Sequence, residues 1–254
     1  MMPGLVRVET IEPGVACVTL DRADRRNALC IDLLEQLCTA IQNLANDTAI
    51  RVVILRGAGP VFSAGLDLRE AADNALIEQS ATAVSRTLEL LRSCPLIVVA
   101  AVLGGAYAGG AGVMAACDIV IAADDALIGF PEARRGLLPA IICDVLIRKV
   151  REGDLAELFL TGEPVSATRA RELGLVQRVV PAERLQDEAL SVARAIIAGG
   201  PDTIRQTKSL LNVLFHSTVE HRNDDFVKQH LAARYSKEAR EGLAAFAEKR
   251  KPNW

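Results

Sequence analysis

Between Ser93 and Cys117 the chain runs roughly 25 residues without a charge, and this run constrains the fold more than any other feature. Its length would serve a transmembrane helix, which needs about 20 apolar residues. Its composition argues against one, because Pro95 opens it and Gly104, Gly105, Gly109, Gly110 and Gly112 crowd its centre. The pattern predicts a buried strand over Leu96–Val102, a glycine turn, and a small-residue helix over Gly110–Cys117. No membrane span is expected, and 254 residues suffice to bury a substantial core.

Elsewhere strand-like and helix-like stretches alternate. Val15–Leu20 is apolar and β-branched and follows Pro13-Gly14. Leu34, Leu37, Ile41 and Leu44 then recur at helical spacing, with Glu35, Gln36, Gln42 and Asn43 between them. Val52–Leu55 reads as a short buried strand closed by Gly57-Ala58-Gly59-Pro60, and Val61-Phe62 resumes extended chain. A helix is expected from about Asp67, whose carboxylate suits a first turn, and another over Ala81–Arg92. Strand Ile119–Ala122 follows the uncharged run. From Ala156 the chain reads mainly helical, broken by a short strand at Val176–Val180 before Pro181. Such alternation predicts an α/β fold with helices covering the sheets. Residues 1–195 are expected to form the core and 196–254 a helical C-terminal region.

The charge balance narrows the function classes. A net charge of −3 and a pI near 5.7 argue against a nucleic-acid binder. Aromatic residues make up 4%, too few for stacking platforms to dominate a site. Six cysteines form no CxxC pair and sit among mostly apolar neighbours, which predicts reduced, buried thiols and a cytoplasmic protein, with no disulfide frame and no metal site. Met1–Arg7 lacks the apolar stretch of a signal peptide. All three histidines, His216, His221 and His230, fall in the last forty residues. Chemistry in the first 215 is therefore expected to use carboxylates, backbone amides or thiols.

Two segments have the build of an anion site. In Phe62-Ser63-Ala64-Gly65-Leu66-Asp67-Leu68 a strand stops, small residues turn the chain and a helix begins, so the first helical amides lack internal acceptors. Gly104–Gly112 repeats the construction. Two such turns can aim two amides at one carbonyl oxygen, the basis of an oxyanion hole; tight strand-to-helix connections that need small residues for packing account for the spacing as well. Gly110-Ala111-Gly112-Val113-Met114-Ala115 matches a dinucleotide fingerprint, but Leu103–Ala108 separate it from its strand, where that motif must follow directly. Glu132, behind Pro131 and the apolar Ala126-Leu127-Ile128, can be desolvated, which raises its pKa and suits proton transfer. A first-turn acid complementing a helix dipole is the plainer account of the same residue. Ser63 is not in G-x-S-x-G, so a hydrolase nucleophile has little support.

Several segments together resemble the enoyl-CoA hydratase/isomerase, or crotonase, family: Asp21–Leu29 (DRADRRNAL), Phe62–Leu68 (FSAGLDL), Val102–Ile119, Phe130–Glu132 (FPE) and the tail Ala245–Trp254. The resemblance runs in order along nearly the whole chain and favours the oxyanion account. It implies a crotonase-like spiral of ββα units with a helical C-terminal trimerisation region, and a homotrimer or homohexamer. It implies that the amides of Leu66 and Gly109 hold the thioester oxygen of an acyl-CoA, the substrate, with no separate cofactor. Coenzyme A is expected along Arg25, Arg26, Ala28, Ala64, Leu66, Asp67, Leu68 and Gly109, and Phe246 and Lys249 are expected to reach a neighbouring subunit's coenzyme A.

One departure matters. Two-carboxylate hydratases of this family have a glutamate at the position of Gly112 and a second at that of Glu132. Glycine cannot orient water or move a proton, so proton transfer falls to Glu132. The segment Gly136–Ile142 (GLLPAII) resembles members acting on branched acyl-CoAs more than the common version with glycine at Ile142, and those relatives include hydratases lacking the first glutamate. Hydration of a 2-enoyl-CoA is therefore the first expectation. Conversion of a 3-enoyl-CoA to a 2-enoyl-CoA by Glu132 is the second, and acyl-CoA binding without catalysis the third.

Overall fold

A computed structural model describes residues 4–71, 73 and 75–216, and nearer the C-terminus 237, 241, 244–245, 248, 250, 252 and 253. Strand β1 (Val6–Glu12) turns at Gly14 and pairs antiparallel with β2 (Val15–Leu20). Helix α1 (Ile31–Asn46) follows, with the predicted Leu34, Leu37, Ile41 and Leu44 stripe buried. No side chain of residue 30 caps it; Glu70 Oε2 instead accepts the Ile31 N–H at 2.9 Å. After β3 (Val52–Gly57) come the four-residue α2 (Leu68–Ala71) and the long α3 (Ile77–Ser93).

The uncharged run resolves into β4 (Ile97–Val102), β5 (Gly105–Tyr107) and α4 (Gly109–Ala116), and every residue of β4 and α4 is buried. Among the described residues no helix is long and apolar enough to cross a membrane. Then follow β6 (Ile119–Ala123), β7 (Leu127–Gly129), α5 (Ala140–Leu146), α6 (Glu152–Thr161), β8 (Val165–Ser166), α7 (Ala167–Glu172), β9 (Arg178–Val180), α8 (Leu185–Ile197) and α9 (Pro201–His216).

The strands form two sheets. A six-stranded sheet has the order β1-β2-β3-β4-β6-β9, parallel except at β1. A small sheet, β5-β7-β8, pairs β5 with β7 in parallel and β7 with β8 antiparallel. The fold is the α/β expected from alternation. β2, β3 and β4 read as continuous apolar runs because side chains on both faces of these strands are buried. β1 was not anticipated, since most of its residues face solvent and its sequence is correspondingly polar. β5, β7 and β8 are two or three residues long, too short to carry a period.

The backbone divides into two compact units, Met1–Ala193 and Arg194–Trp254. In the second, Arg250 Nη1 meets Glu241 Oε1 at 2.6 Å and the Asn253 N–H donates to the same oxygen at 2.7 Å. These contacts, the guanidinium foremost, hold the Glu241 carboxyl down to about 2. His221 and His230 lie outside the described residues. Cys17, Cys30, Cys38, Cys94 and Cys117 are buried as free thiols, as their apolar neighbours predict, and only Cys143 is partly exposed. Burial pushes the Cys17 and Cys30 thiols up, away from reactive thiolate.

Candidate active site

The two glycine turns lie side by side. Ser63 and Ala106 form a parallel bridge, and the Tyr107 N–H donates to the Ser63 carbonyl at 3.0 Å. Gly65 and Ala108 then interlock: a methyl on Gly65, whose φ is +92°, would lie 2.7 Å from the Tyr107 oxygen and 2.9 Å from the Ala108 methyl. Ala108 itself sits at φ 48°, ψ −127°, a conformation that costs a non-glycine residue on the order of 1–3 kcal/mol. It immediately precedes the first amide of α4, and its own N–H donates to Gly129 O at 2.8 Å.

This arrangement leaves two amides without an acceptor of their own. Leu66 bridges Leu29 through its neighbours: the Leu29 N–H donates to Gly65 O at 2.8 Å and the Asp67 N–H to Leu29 O at 3.0 Å. In extended chain the N–H of the residue between points the other way. Gly109 is the first residue of α4, where an amide has no intrahelical acceptor. Among the described residues neither the Leu66 nor the Gly109 N–H donates to any acceptor. The two are neighbours, since Leu66 Cγ and Cδ2 lie 3.7 Å from where a Gly109 side chain would begin.

Leu66 also lines a cavity of about 580 Å³. It brings together Arg25, Arg26, Ala28, Ala64, Leu66 and Asp67 of the predicted set; Gly109 and Glu132 are not on its wall. Val61, Arg69, Tyr107 and Arg135 line it too, and sequence reasoning missed them. Nothing in the motifs marks Arg69 or Arg135, which reach the cavity from separate segments. Four arginines on one wall suit a polyanion such as a set of phosphates. Asp67 does not cancel that charge freely. Its Oδ2 receives Arg22 Nη1 at 2.6 Å and its Oδ1 accepts the Arg69 N–H at 3.1 Å. Burial alone would raise its pKa, but these partners together hold it below the usual carboxylate range.

The loop bearing Arg25, Arg26 and Ala28 is clamped by Asn27, fully buried at φ 52°. Its amide donates to Ala58 O at 2.8 Å and Val61 O at 2.9 Å, and its Oδ1 accepts the Arg22 N–H at 3.0 Å. Ser63 Oγ donates to the Asn27 carbonyl at 2.8 Å. Asparagine inside DRADRRNAL was the available signal, because it tolerates left-handed backbone better than most residues.

Glu132 follows the strand paired with β5. β5 and β7 run parallel with Tyr107 opposite Gly129, so one exit leads into α4 and the other through Phe130 and Pro131 to Glu132. Glu132 is 8% exposed, and its Oε2 is buried with no hydrogen-bond partner among the described residues. Burial pushes its pKa up, and its own backbone N–H and the charge of Arg135 pull it only part of the way back. Phe130 beside it is buried and meets Phe159 edge-on at 5.6 Å. Phe246 and Lys249 lie outside the described residues.

A sequence model described as enoyl-CoA hydratase/isomerase matches residues 10–254. The crystal structure of an enoyl-CoA hydratase from Bacillus anthracis is similar with a TM-score of 0.93 and 33% identity over 98% of both chains. One from Mycobacterium smegmatis gives a TM-score of 0.94 at 32% identity, again over 98% of both. Human enoyl-CoA hydratase domain-containing protein 3, mitochondrial, is 32% identical over 95% of this chain and 80% of its own length. Two mixed sheets covered by helices, in the same backbone arrangement as these structures, give the crotonase-like fold that the resemblance implied. The chain belongs to the enoyl-CoA hydratase/isomerase family.

Proposed function

We propose that the protein hydrates a 2-enoyl-CoA, with Glu132 as the proton-transfer residue and the Leu66 and Gly109 amides as the oxyanion hole. The observation that carries this is a buried carboxylate with an unpartnered oxygen, three residues beyond Gly129 on a strand paired with the one that leads to Gly109, together with two amides that have no acceptor of their own. The arginines of the cavity wall would face the phosphates of coenzyme A. Water adds through its oxygen to C3 while ionised Glu132 takes its proton, and charge passes onto the thioester oxygen held by the two amides. The enolate collapses as Glu132 returns that proton to C2. One H and one OH have been added, and Glu132 is again ionised. The names of the similar structures support hydration as the direction of this chemistry.

Double-bond migration is the second reading, favoured by Gly112, since one carboxylate suffices to carry a proton from C2 to C4. A trimer or hexamer in the cytoplasm belongs to the same proposal and rests on the family resemblance and the buried thiols. The test offers 2-enoyl- and 3-enoyl-CoAs and follows loss or gain of the conjugated thioester. Glu132→Gln should lower turnover by roughly 10²–10⁴-fold, the usual worth of a positioned acid–base group. Calorimetry should show acyl-CoA binding to the variant little changed. Undiminished turnover in Glu132→Gln would overturn the role given to Glu132, and saturable binding without turnover in wild type would identify an acyl-CoA binder.

A further inference from the structure

Gly112 lies inside α4 and makes an ordinary helical bond, its N–H donating to Ala108 O at 3.0 Å. Its backbone is not in the left-handed region, so conformational freedom does not explain a glycine there, where glycine weakens a helix. Space does. A Cβ on residue 112 would stand 2.5 Å from Ile142 Cγ2, 3.2 Å from Ile142 Cβ and 3.7 Å from Leu88 Cδ2. Ile142, on α5, is 3% exposed. The severe clash is with a γ-carbon, which alanine at 142 would lack, whereas the 3.2 Å approach of the Cβ is a tight contact that a small shift absorbs. Room at 112 therefore requires a smaller residue at 142 or a shift of α5.

Residues 109 and 112 are three apart on a helix and share a face. A side chain at 112 would thus emerge one turn after Gly109, on the helix that leaves β5, the strand paired with the one that leads to Glu132. We propose that Gly112 and Ile142 are a coupled pair in which Ile142 is the specificity-determining residue, holding the room of a second acid and confining the site to one carboxylate. The inference rests on the reading of Glu132 as the proton-transfer residue.

The test is a cycle of variants, each scored for Tm, for hydration of a 2-enoyl-CoA and for migration in a 3-enoyl-CoA. Gly112→Ala alone should lower Tm by at least about 4 °C, the expected effect of overpacking in a chain of this size. In the Ile142→Ala background, which itself loses stability by deleting buried carbons, Gly112→Ala should cost little further. Gly112→Glu with Ile142→Ala should add a second ionisation to the pH–rate profile. It should also raise the ratio of hydration to migration at least about tenfold over Ile142→Ala alone, within the range of one acid–base group. Purely additive Tm changes would overturn the coupling whatever the activities. A folded double variant with one ionisation and an unchanged ratio would overturn the role in specificity. Undiminished turnover in Glu132→Gln would instead remove the acid–base reading, leaving the Tm cycle to decide the pair.

Discussion

Asn27 holds the cavity's arginine loop, and its replacement gives a magnitude that follows from the structure. Asn27→Ala removes three buried hydrogen bonds, two donated to Ala58 and Val61 and one accepted from Arg22. At about 1 kcal/mol net each, that is about 3 kcal/mol. Alanine must also adopt the φ of 52° that asparagine tolerates, which adds about 1 kcal/mol. A loss near 4 kcal/mol corresponds to a fall in Tm of roughly 8–16 °C for a chain of this size. Thermal unfolding is the assay, with Asn43→Ala on the exposed face of α1 as the control, expected within about 0.5 kcal/mol of wild type. Freed of the clamp, Arg25, Arg26 and Ala28 lose their fixed position, so calorimetry with coenzyme A should show binding weakened at least about tenfold, or 1.4 kcal/mol. A Tm within about 3 °C of wild type, less than the three bonds alone require, would refute the reasoning.

Glu132 should give the rate profile an acid limb with a midpoint above the ordinary glutamate value of 4.5, because its buried carboxylate must ionise before it can accept water's proton; a midpoint at or below that value counts against the role. Stability should respond in the opposite sense. A pKa raised in the folded state favours folding at low pH and loses that advantage as pH rises through it, so Glu132→Gln should melt higher than wild type near neutrality and lose its lead in acid. Asp67, held low mainly by Arg22 against the pull of burial, contributes stability above the ordinary carboxylate range that is lost as pH falls through its lowered pKa. Asp67→Asn should cost about 1–3 kcal/mol at neutral pH in chemical denaturation, and little in strong acid. Ala108→Gly relieves a strained conformation and should leave Tm equal or higher, whereas Gly65→Ala should lower it by at least about 4 °C, since a methyl there meets Tyr107 O at 2.7 Å.

What sequence and structure each contributed differs residue by residue. The strands β2, β3 and β4 and the helix α1 were legible because their burial is regular, two-sided in the strands and one stripe wide in the helix. The helix expected from Asp67 is only four residues long, and its acidic Glu70 serves α1 instead, a contact across 39 positions that no local pattern announces. The predicted strand Val176–Val180 shrinks to Arg178–Val180, since the Gln177 side chain takes the Val120 N–H at 2.8 Å and pairing with β6 begins only at Arg178. Around the cavity, motif residues and unmarked ones stand together: Arg25 and Arg26 belong to a recognisable segment, Arg69 and Arg135 do not, and only folding places all four on one wall.

By itself the sequence determined that the long uncharged run would be strand, turn and helix, that all three histidines fall in the last forty residues, and that one glutamate would stand where the family pattern has two. These are local facts, set by spacing, glycine content and side-chain chemistry. The tertiary structure alone decided that Glu132 is buried with an unpartnered oxygen, that the Leu66 side chain packs against Gly109 from a separate turn, and that Ile142 fills the room beside Gly112. Desolvation and steric exclusion depend on what the rest of the chain packs around a residue, and that packing exists only once the sheets and helices have closed over it.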